Sequence, residues 1–125
     1  VWKELSWLAL AGAAGTLSRY GLSGCVQWLT GEKFPWGTLA VNVVGCFLFG
    51  LIWTLAEDRL VIAGQTRFII LTGFMGAFTT FSTFGFETGE LLRDSQYWRA
   101  VGNVLANNVL GILAVLLGLA FGGWL

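Results

Sequence analysis

The sequence predicts an all-α integral membrane protein with four transmembrane helices in a single domain, and three observations carry that reading. Of its 125 residues 56% are hydrophobic and 11% are charged, against roughly 25% charged in an average soluble domain. Four long stretches are free or nearly free of charge: 5–31, interrupted only by Arg19, then 35–56, 68–86 and 100–125. A helix rising about 1.5 Å per residue needs about 20 apolar residues to cross a hydrocarbon core of about 30 Å, and these stretches meet that length. A soluble domain of this size would have to hide nearly every helix on all sides, so lipid is the better solvent for such segments.

The first helix is expected over 4–29. Lys3 ahead of an apolar run with Ala and Gly resembles a secretory signal, but the run is too long and three more spans follow it. The second helix is expected over 35–56, where Pro35 suits a first helical position because the N–H it lacks would have had no partner there. The third and fourth are expected over 66–92 and 98–124. The connections at 32–34, 57–64 and 94–97 leave no room for an extramembrane domain, and there is no internal repeat, linker or low-complexity segment.

With four spans, both termini and the second connection share one side of the membrane. That side carries Lys3, Arg59 and Arg67, and the other carries Lys33, Arg93 and Arg99. Three against three removes the positive-inside bias that normally sets orientation; assigning Arg19 to the second side makes it four against three. A chain without that bias can insert both ways up, and opposed copies can pair about a two-fold axis in the membrane plane. The expectation is an antiparallel, dual-topology homodimer. Small residues, among them Gly118 and Gly122, Gly73 and Ala77, and Gly12, Gly15, Gly45 and Gly50, are expected to let helix backbones approach, since lipid supplies no hydrophobic drive for helix association.

The chain has no histidine, which excludes every scheme that needs an imidazole, and no Ser, Cys or Lys has a recognisable base beside it. Cys25 and Cys46 match no metal-ligand spacing and read as free thiols. No enzyme is expected, and nothing points to a nucleic-acid partner.

The chemistry is concentrated in the third helix, where 76–85 reads GAFTTFSTFG. Thr79, Thr80, Ser82 and Thr83 cannot share one face of a regular helix. A single hydroxyl is satisfied by bonding back to the carbonyl four residues earlier, but four of them beside Gly73, Gly76 and Gly85 point to a helix broken at mid-membrane, which is tolerated where the freed carbonyls are buried or line a cavity. Such carbonyls are hard ligands for a small cation. Phe74, Phe78, Phe81 and Phe84 follow helical spacing, and the positive edge of an aromatic ring attracts an anion without trapping it. Asn42 in the second helix either offers amide donors to a dehydrated anion or clamps two helices together. Arg19, an intramembrane charge, is a functional candidate that could draw an anion into a vestibule, pair with Glu87 or snorkel to the headgroups. Asn103, Asn107 and Asn108 make the early turns of the fourth helix polar, as a wet or interhelical surface.

The first-helix GAAGTLSRY, the second-helix PWGTLAVNVVG and above all the third-helix TGFMGAFTTFSTF followed by Glu87 resemble the Fluc (CrcB) family of fluoride channels over the whole chain. The resemblance implies passive fluoride export through two pores of an antiparallel dimer in the plasma (inner) membrane of a prokaryote. It also implies a structural sodium ion at the dimer interface, held by the carbonyls of Gly76 and Thr79 from two copies. On the same resemblance Phe81 and Phe84 line the fluoride route, Asn42 donates to the ion, and Ser82 and Thr83 extend the polar track. Arg19 sits at the vestibule, with Thr38 and Glu87 as accessory residues. The fourth helix departs from the family pattern, with Val104, Asn108, Ile112 and Leu116 where some relatives offer a Tyr and hydroxyls; Asn108 is the substitute. The rival reading is a small multidrug-type proton-coupled exporter, which needs an acidic residue in the middle of its first helix where this chain has Arg19. A further rival is an assembly subunit without transport of its own.

Overall fold

The computed structural model describes residues 1–31 and 33–125, so within the first expected connection Glu32 lies outside the described residues. The order is α1 (Trp2–Thr30), α2 (Trp36–Glu57), α3 (residues 64–78), α4 (Phe81–Arg93) and α5 (Tyr97–Trp124). The third expected span is therefore α3 and α4 together, separated at Thr79 and Thr80. By length and composition α2, the combined Gly64–Arg93 and α5 are long and apolar enough to cross a membrane. At 29 residues α1 is long enough, but Arg19 and its Gly, Ser and Thr residues dilute its hydropathy, and it does not join those three on composition.

Each helix end has a local cause. Gly31 ends α1 in the left-handed conformation, φ 58°, with its N–H returned to the Gln27 carbonyl at 3.0 Å; a residue with a Cβ is strained there. Pro35 stands at the cap of α2, one position earlier than expected, with Trp36 the first helical residue. The cap gives α2 no side-chain hydrogen bond of its own; Gln27 of α1 supplies it, accepting from Gly37 N–H at 3.1 Å while donating to the Phe34 carbonyl at 3.1 Å. One of the orphan donors at the start of α2 is thereby satisfied by the preceding helix. Two segments widen to π-helix, Ile69–Met75 in α3 and Ala106–Leu110 in α5.

The packing is that of a protein whose outside is apolar. Leu10, Leu17, Trp28, Leu116 and Leu117 are exposed, whereas Thr38, Thr54 and Asn103 are buried, Asn103 completely. The small apolar core joins Val41 of α2 to Leu71, Met75 and Phe78 of α3. The most extensive helix pair is α2 with the C-terminal half of α5, and it is made by glycines. A Cβ on Gly50 would strike the Val115 carbonyl and the Leu119 nitrogen; one on Gly118 would strike the Phe47 carbonyl and the Leu51 nitrogen; one on Gly122 would lie 2.8 Å from Thr54 Cβ. Thr54 Oγ1 then reaches the Leu119 carbonyl at 3.3 Å. A second seam joins α1 to α3, where Gly15 meets the Phe74 carbonyl and Gly73 meets Ala11 and Leu8. At one end of the bundle Arg67 pairs with Glu57 and lies 4.9 Å from the Trp53 ring centre, while Arg59 donates to the Gly123 carbonyl at 3.0 Å.

A side chain at Gly118 would have to displace the backbone of α2. Gly118→Leu is expected to lower stability by about 3 kcal/mol or more, against less than about 0.5 kcal/mol for Gly123→Ala, whose Cβ meets nothing within 4 Å. Unfolding titrations in mixed micelles measure both, and an unchanged Gly118→Leu protein contradicts this packing.

Candidate functional site: the break in the third span

After Phe78 the chain leaves the helix for two residues. Thr79 takes φ −88°, ψ 157° and Thr80 φ −149°, ψ 115°, both extended, and α4 begins at Phe81. Three of the four hydroxyls, those of Thr79, Thr80 and Thr83, bond around the break. Thr79 Oγ1 bonds back to the Met75 carbonyl at 3.1 Å, alongside its own N–H. Thr80 caps α4 by accepting from Thr83 N–H at 3.2 Å and hydrogen-bonds the Thr83 hydroxyl at 3.0 Å, as Thr does at many helix starts. Ser82 is exposed.

Asn42 of α2 closes the gap. Its Oδ1 accepts from Thr80 N–H at 2.8 Å and its Nδ2 donates to the Thr80 carbonyl at 3.1 Å. One amide thus replaces, in both directions, the backbone pairing that the break removes. Gly45, one turn further along α2, leaves the room: a Cβ there would strike Thr79 Cγ2 and lie 3.2 Å from the Phe78 ring. From the other side Arg19 of α1 donates through Nε to the Ala77 carbonyl at 3.0 Å. Its guanidinium therefore serves the C-terminal end of α3, and among the described residues the ion pairs are Arg67–Glu57 and Arg93–Glu90, without Glu87.

One cavity adjoins the break, and a second lies between α1, α2 and α4. The first, of about 380 Å³, is bounded by Asn42 and Cys46 of α2, Thr79 and Thr80, Phe81 and Phe84 of α4, and Asn107 and Asn108 of α5. Among the described residues no charged side chain lines it. Phe84 is buried and Phe81 is 82% exposed, with their rings 5.5 Å apart and tilted by 57°. The aromatic stripe is consequently split by the break, Phe74 and Phe78 stacking with each other at 5.7 Å. The second cavity, of about 630 Å³, holds Arg19 and Lys33 together with Thr38, Glu87, Glu90 and Asp94. Thr38 lies against the Glu87 carboxyl group, and Glu87 Oε1 is, among the described residues, a buried side-chain oxygen without a hydrogen-bond partner.

The expected site residues thus fall into groups. Asn42, Thr79, Phe81, Phe84 and Asn108 meet at the uncharged cavity, while Arg19, Thr38 and Glu87 meet at the charged one. Thr83 belongs to the helix cap, and Ser82 and Gly76 face outward.

Residues 6–119 match the family described as CrcB-like protein, Camphor Resistance (CrcB). The chain belongs to the CrcB family. Among its CrcB relatives, a protein of Nitrosococcus oceani named fluoride-specific ion channel FluC is 62% identical over 118 residues, 94% of each chain. The FluC of Solidesulfovibrio magneticus is 52% identical over 120 residues, 96% of each chain, and that of Desulforapulum autotrophicum 49% identical over 116 residues, 93% of each.

Within this CrcB chain α5 contributes more than the sequence indicated. Asn107 accepts from Asn42 Nδ2 at 3.0 Å and donates to the carbonyl and Oδ1 of Asn103 at 2.9 and 3.0 Å. The spacing of 103 and 107 placed them on one face; what it did not show is that α2 supplies the partner. Asn108 donates to the Val104 carbonyl at 2.7 Å, and Val104, Ile112 and Leu116 are exposed.

Removing the clamp strands both backbone groups of Thr80. Asn42→Ala is expected to cost about 3 kcal/mol, since each buried polar group left unpaired costs about 1–3 kcal/mol, whereas Asn108→Ala stays within about 0.5 kcal/mol. Equal stability of the two variants in a denaturant titration contradicts the clamp.

Proposed function

We propose that this chain is a fluoride-specific channel that lets cytoplasmic fluoride leave passively through two pores of an antiparallel, dual-topology homodimer. The observation that carries the reading is the 62% identity, over 94% of both chains, to a protein named fluoride-specific ion channel. The uncharged cavity beside the break supports it on physical grounds. Fluoride holds its water tightly, so a dry route must offer several donors and edge contacts that attract without trapping. Phe81 and Phe84 offer ring edges, and Asn42 and Asn108 offer amide hydrogens. Both hydrogens of Asn42 are engaged, by the Thr80 carbonyl and by Asn107 Oδ1, so donation to fluoride there requires one of those bonds to open. Ser82 and Thr83 extend the donor set along α4, and Arg19, with Thr38 and Glu87 beside it, concentrates anions at the charged cavity that serves as the vestibule.

The dimer reading draws support from the side chains that a single chain leaves uncovered, Phe81 among them, and from the even distribution of Lys and Arg. In that arrangement α1 is the fourth span, in keeping with its seam along α3, part of the combined Gly64–Arg93 segment that is long and apolar enough to cross. The protein would lie in the inner membrane of a prokaryote in both orientations. A sodium ion at the interface fits the residues present. Thr80 N–H turns to Asn42, which releases the Gly76 carbonyl from the helical ladder, and Gly76 is exposed, with 3.9 Å to the nearest atom that a Cβ would meet. Carbonyl oxygens of Gly76 and Thr79 from two copies would hold such an ion, which when bound supplies a fixed positive charge joining the two breaks. The proton-coupled exporter is not favoured: α1 carries Arg19 where that mechanism needs a carboxylate.

Fluoride efflux from liposomes, read with a fluoride electrode, tests the reading. The expected result is fast efflux without proton coupling and none for chloride; vesicles that retain fluoride contradict it. Phe81→Ile and Phe84→Ile are expected to cut flux about tenfold or more with the dimer intact, and unchanged flux in both excludes the ring-edge route. Replacing sodium by a large organic cation throughout purification is expected to weaken the dimer or the flux, and indifference to it removes the cation site.

A further inference from the structure

The hydrogen bonds around the break form one chain whose direction is dictated from its first link. Thr80 N–H can only donate and its carbonyl can only accept, so Asn42 must present Oδ1 to the first and Nδ2 to the second. The second hydrogen of Asn42 Nδ2 then needs an acceptor, and Asn107 turns Oδ1 towards it at 3.0 Å. Asn107 Nδ2 therefore faces Asn103, whose backbone carbonyl, an obligate acceptor at 2.9 Å, fixes the same orientation independently. Asn103 in turn presents Oδ1 to Asn107 at 3.0 Å and Nδ2 to Thr88 Oγ1 at 2.9 Å. The Thr88 hydroxyl passes its own hydrogen to the Phe84 carbonyl at 2.8 Å. Every link donates in the same sense, from the backbone of Thr80 to the backbone of Phe84.

The two ends of this chain bracket the first turn of α4, and that turn carries Phe81 and Phe84. The α4 backbone closes the chain into a ring through α2 and α5. Links that share a direction polarise one another, and in a segment surrounded by apolar surface a missing link strands its neighbours. Asn103 is completely buried, and neither it nor Thr88 lines the uncharged cavity.

We infer that Thr88 and Asn103 are positioning residues: by closing this head-to-tail ring through Asn107 and Asn42 they hold the Phe81/Phe84 turn in register with the break, although neither touches the cavity. The inference rests on the proposed channel for its functional consequence, and on the hydrogen bonds alone for its structural one, so the two are tested separately.

The structural arm is a double-mutant cycle on thermal stability of the full chain in detergent, using Asn42→Ala and Thr88→Val. The two residues share no direct bond, and each substitution alone is expected to lower the melting temperature by several degrees. The double variant is expected to fall well short of the summed shifts, because either change already opens the ring. Additive shifts overturn the inference whatever the protein transports. If Asn42→Ala does not fold, Asn107→Leu replaces it in the same cycle with the same criterion. The functional arm is fluoride efflux from liposomes. Thr88→Val, which keeps the shape and loses the hydroxyl, is expected to reduce efflux about tenfold, and Thr88→Ser is expected to restore it. Efflux by Thr88→Val equal to that of the parent, or a Thr88→Ser protein as slow as Thr88→Val, overturns the positioning role while the channel reading stands. A parent protein that conducts no fluoride defeats the channel reading instead, and the cycle alone then decides the ring.

Discussion

The amide of Asn42 laid against the backbone of Thr80 is the contact on which the rest depends. A helix interrupted inside an apolar bundle exposes donors and acceptors where no water competes for them, and each stranded group costs on the order of 1–3 kcal/mol. A single carboxamide, one hydrogen-bond donor face and one acceptor face at fixed separation, is the smallest side chain that answers the N–H and the C=O of one residue together. With Asn42 in place at 2.8 and 3.1 Å, the two extended residues are stable, α4 can restart at Phe81, and Phe81 and Phe84 line a cavity.

The remaining architecture serves that contact by bringing backbones close enough for short side chains to meet. Gly50, Gly118 and Gly122 press α2 against α5, which sets the distance over which Asn42 can reach Asn107. Gly45 clears the space that Thr79 and Phe78 occupy, and Gly15 brings α1 against the carbonyl end of α3, where Arg19 takes up the Ala77 carbonyl. Thr38, Thr54 and Asn103 lie inside while many leucines lie outside. That inversion is what a lipid solvent imposes: interhelical hydrogen bonds and close backbone packing must supply the cohesion that burial of leucine supplies in water.

Much of this was legible in the sequence because it follows from composition and local chemistry. Four helices and their short connections came from the apolar runs, and the break came from hydroxyls and glycines packed too densely for one helical face. Other features depend on geometry that residue spacing does not carry. Asn42 could be read equally as an ion ligand or a clamp, and its bonds are those of a clamp while it also lines the cavity. Pro35 proved to be a cap because Gln27, eight residues earlier, takes over the first turn of α2. Asn107 rather than Asn108 joins the bonded chain because it shares the face of Asn103 and meets Asn42 of α2, whereas Asn108 bonds back to the Val104 carbonyl. The role of Thr88 had no sequence signal, since an isolated Thr in a helix ordinarily bonds back to the carbonyl four residues earlier, as this one also does.

The central claim is that a side chain, not water and not the helix, holds the backbone at the break. Amide hydrogen exchange at Thr80 in threonine-labelled protein tests it most directly. Exchange as slow as that of Thr88, well inside α4, is the result this account predicts for a residue outside any helix. Exchange at the rate of an open loop residue would show the Thr80 N–H to be free, and the clamp, the ring built on it and the placement of Phe81 and Phe84 would fall together.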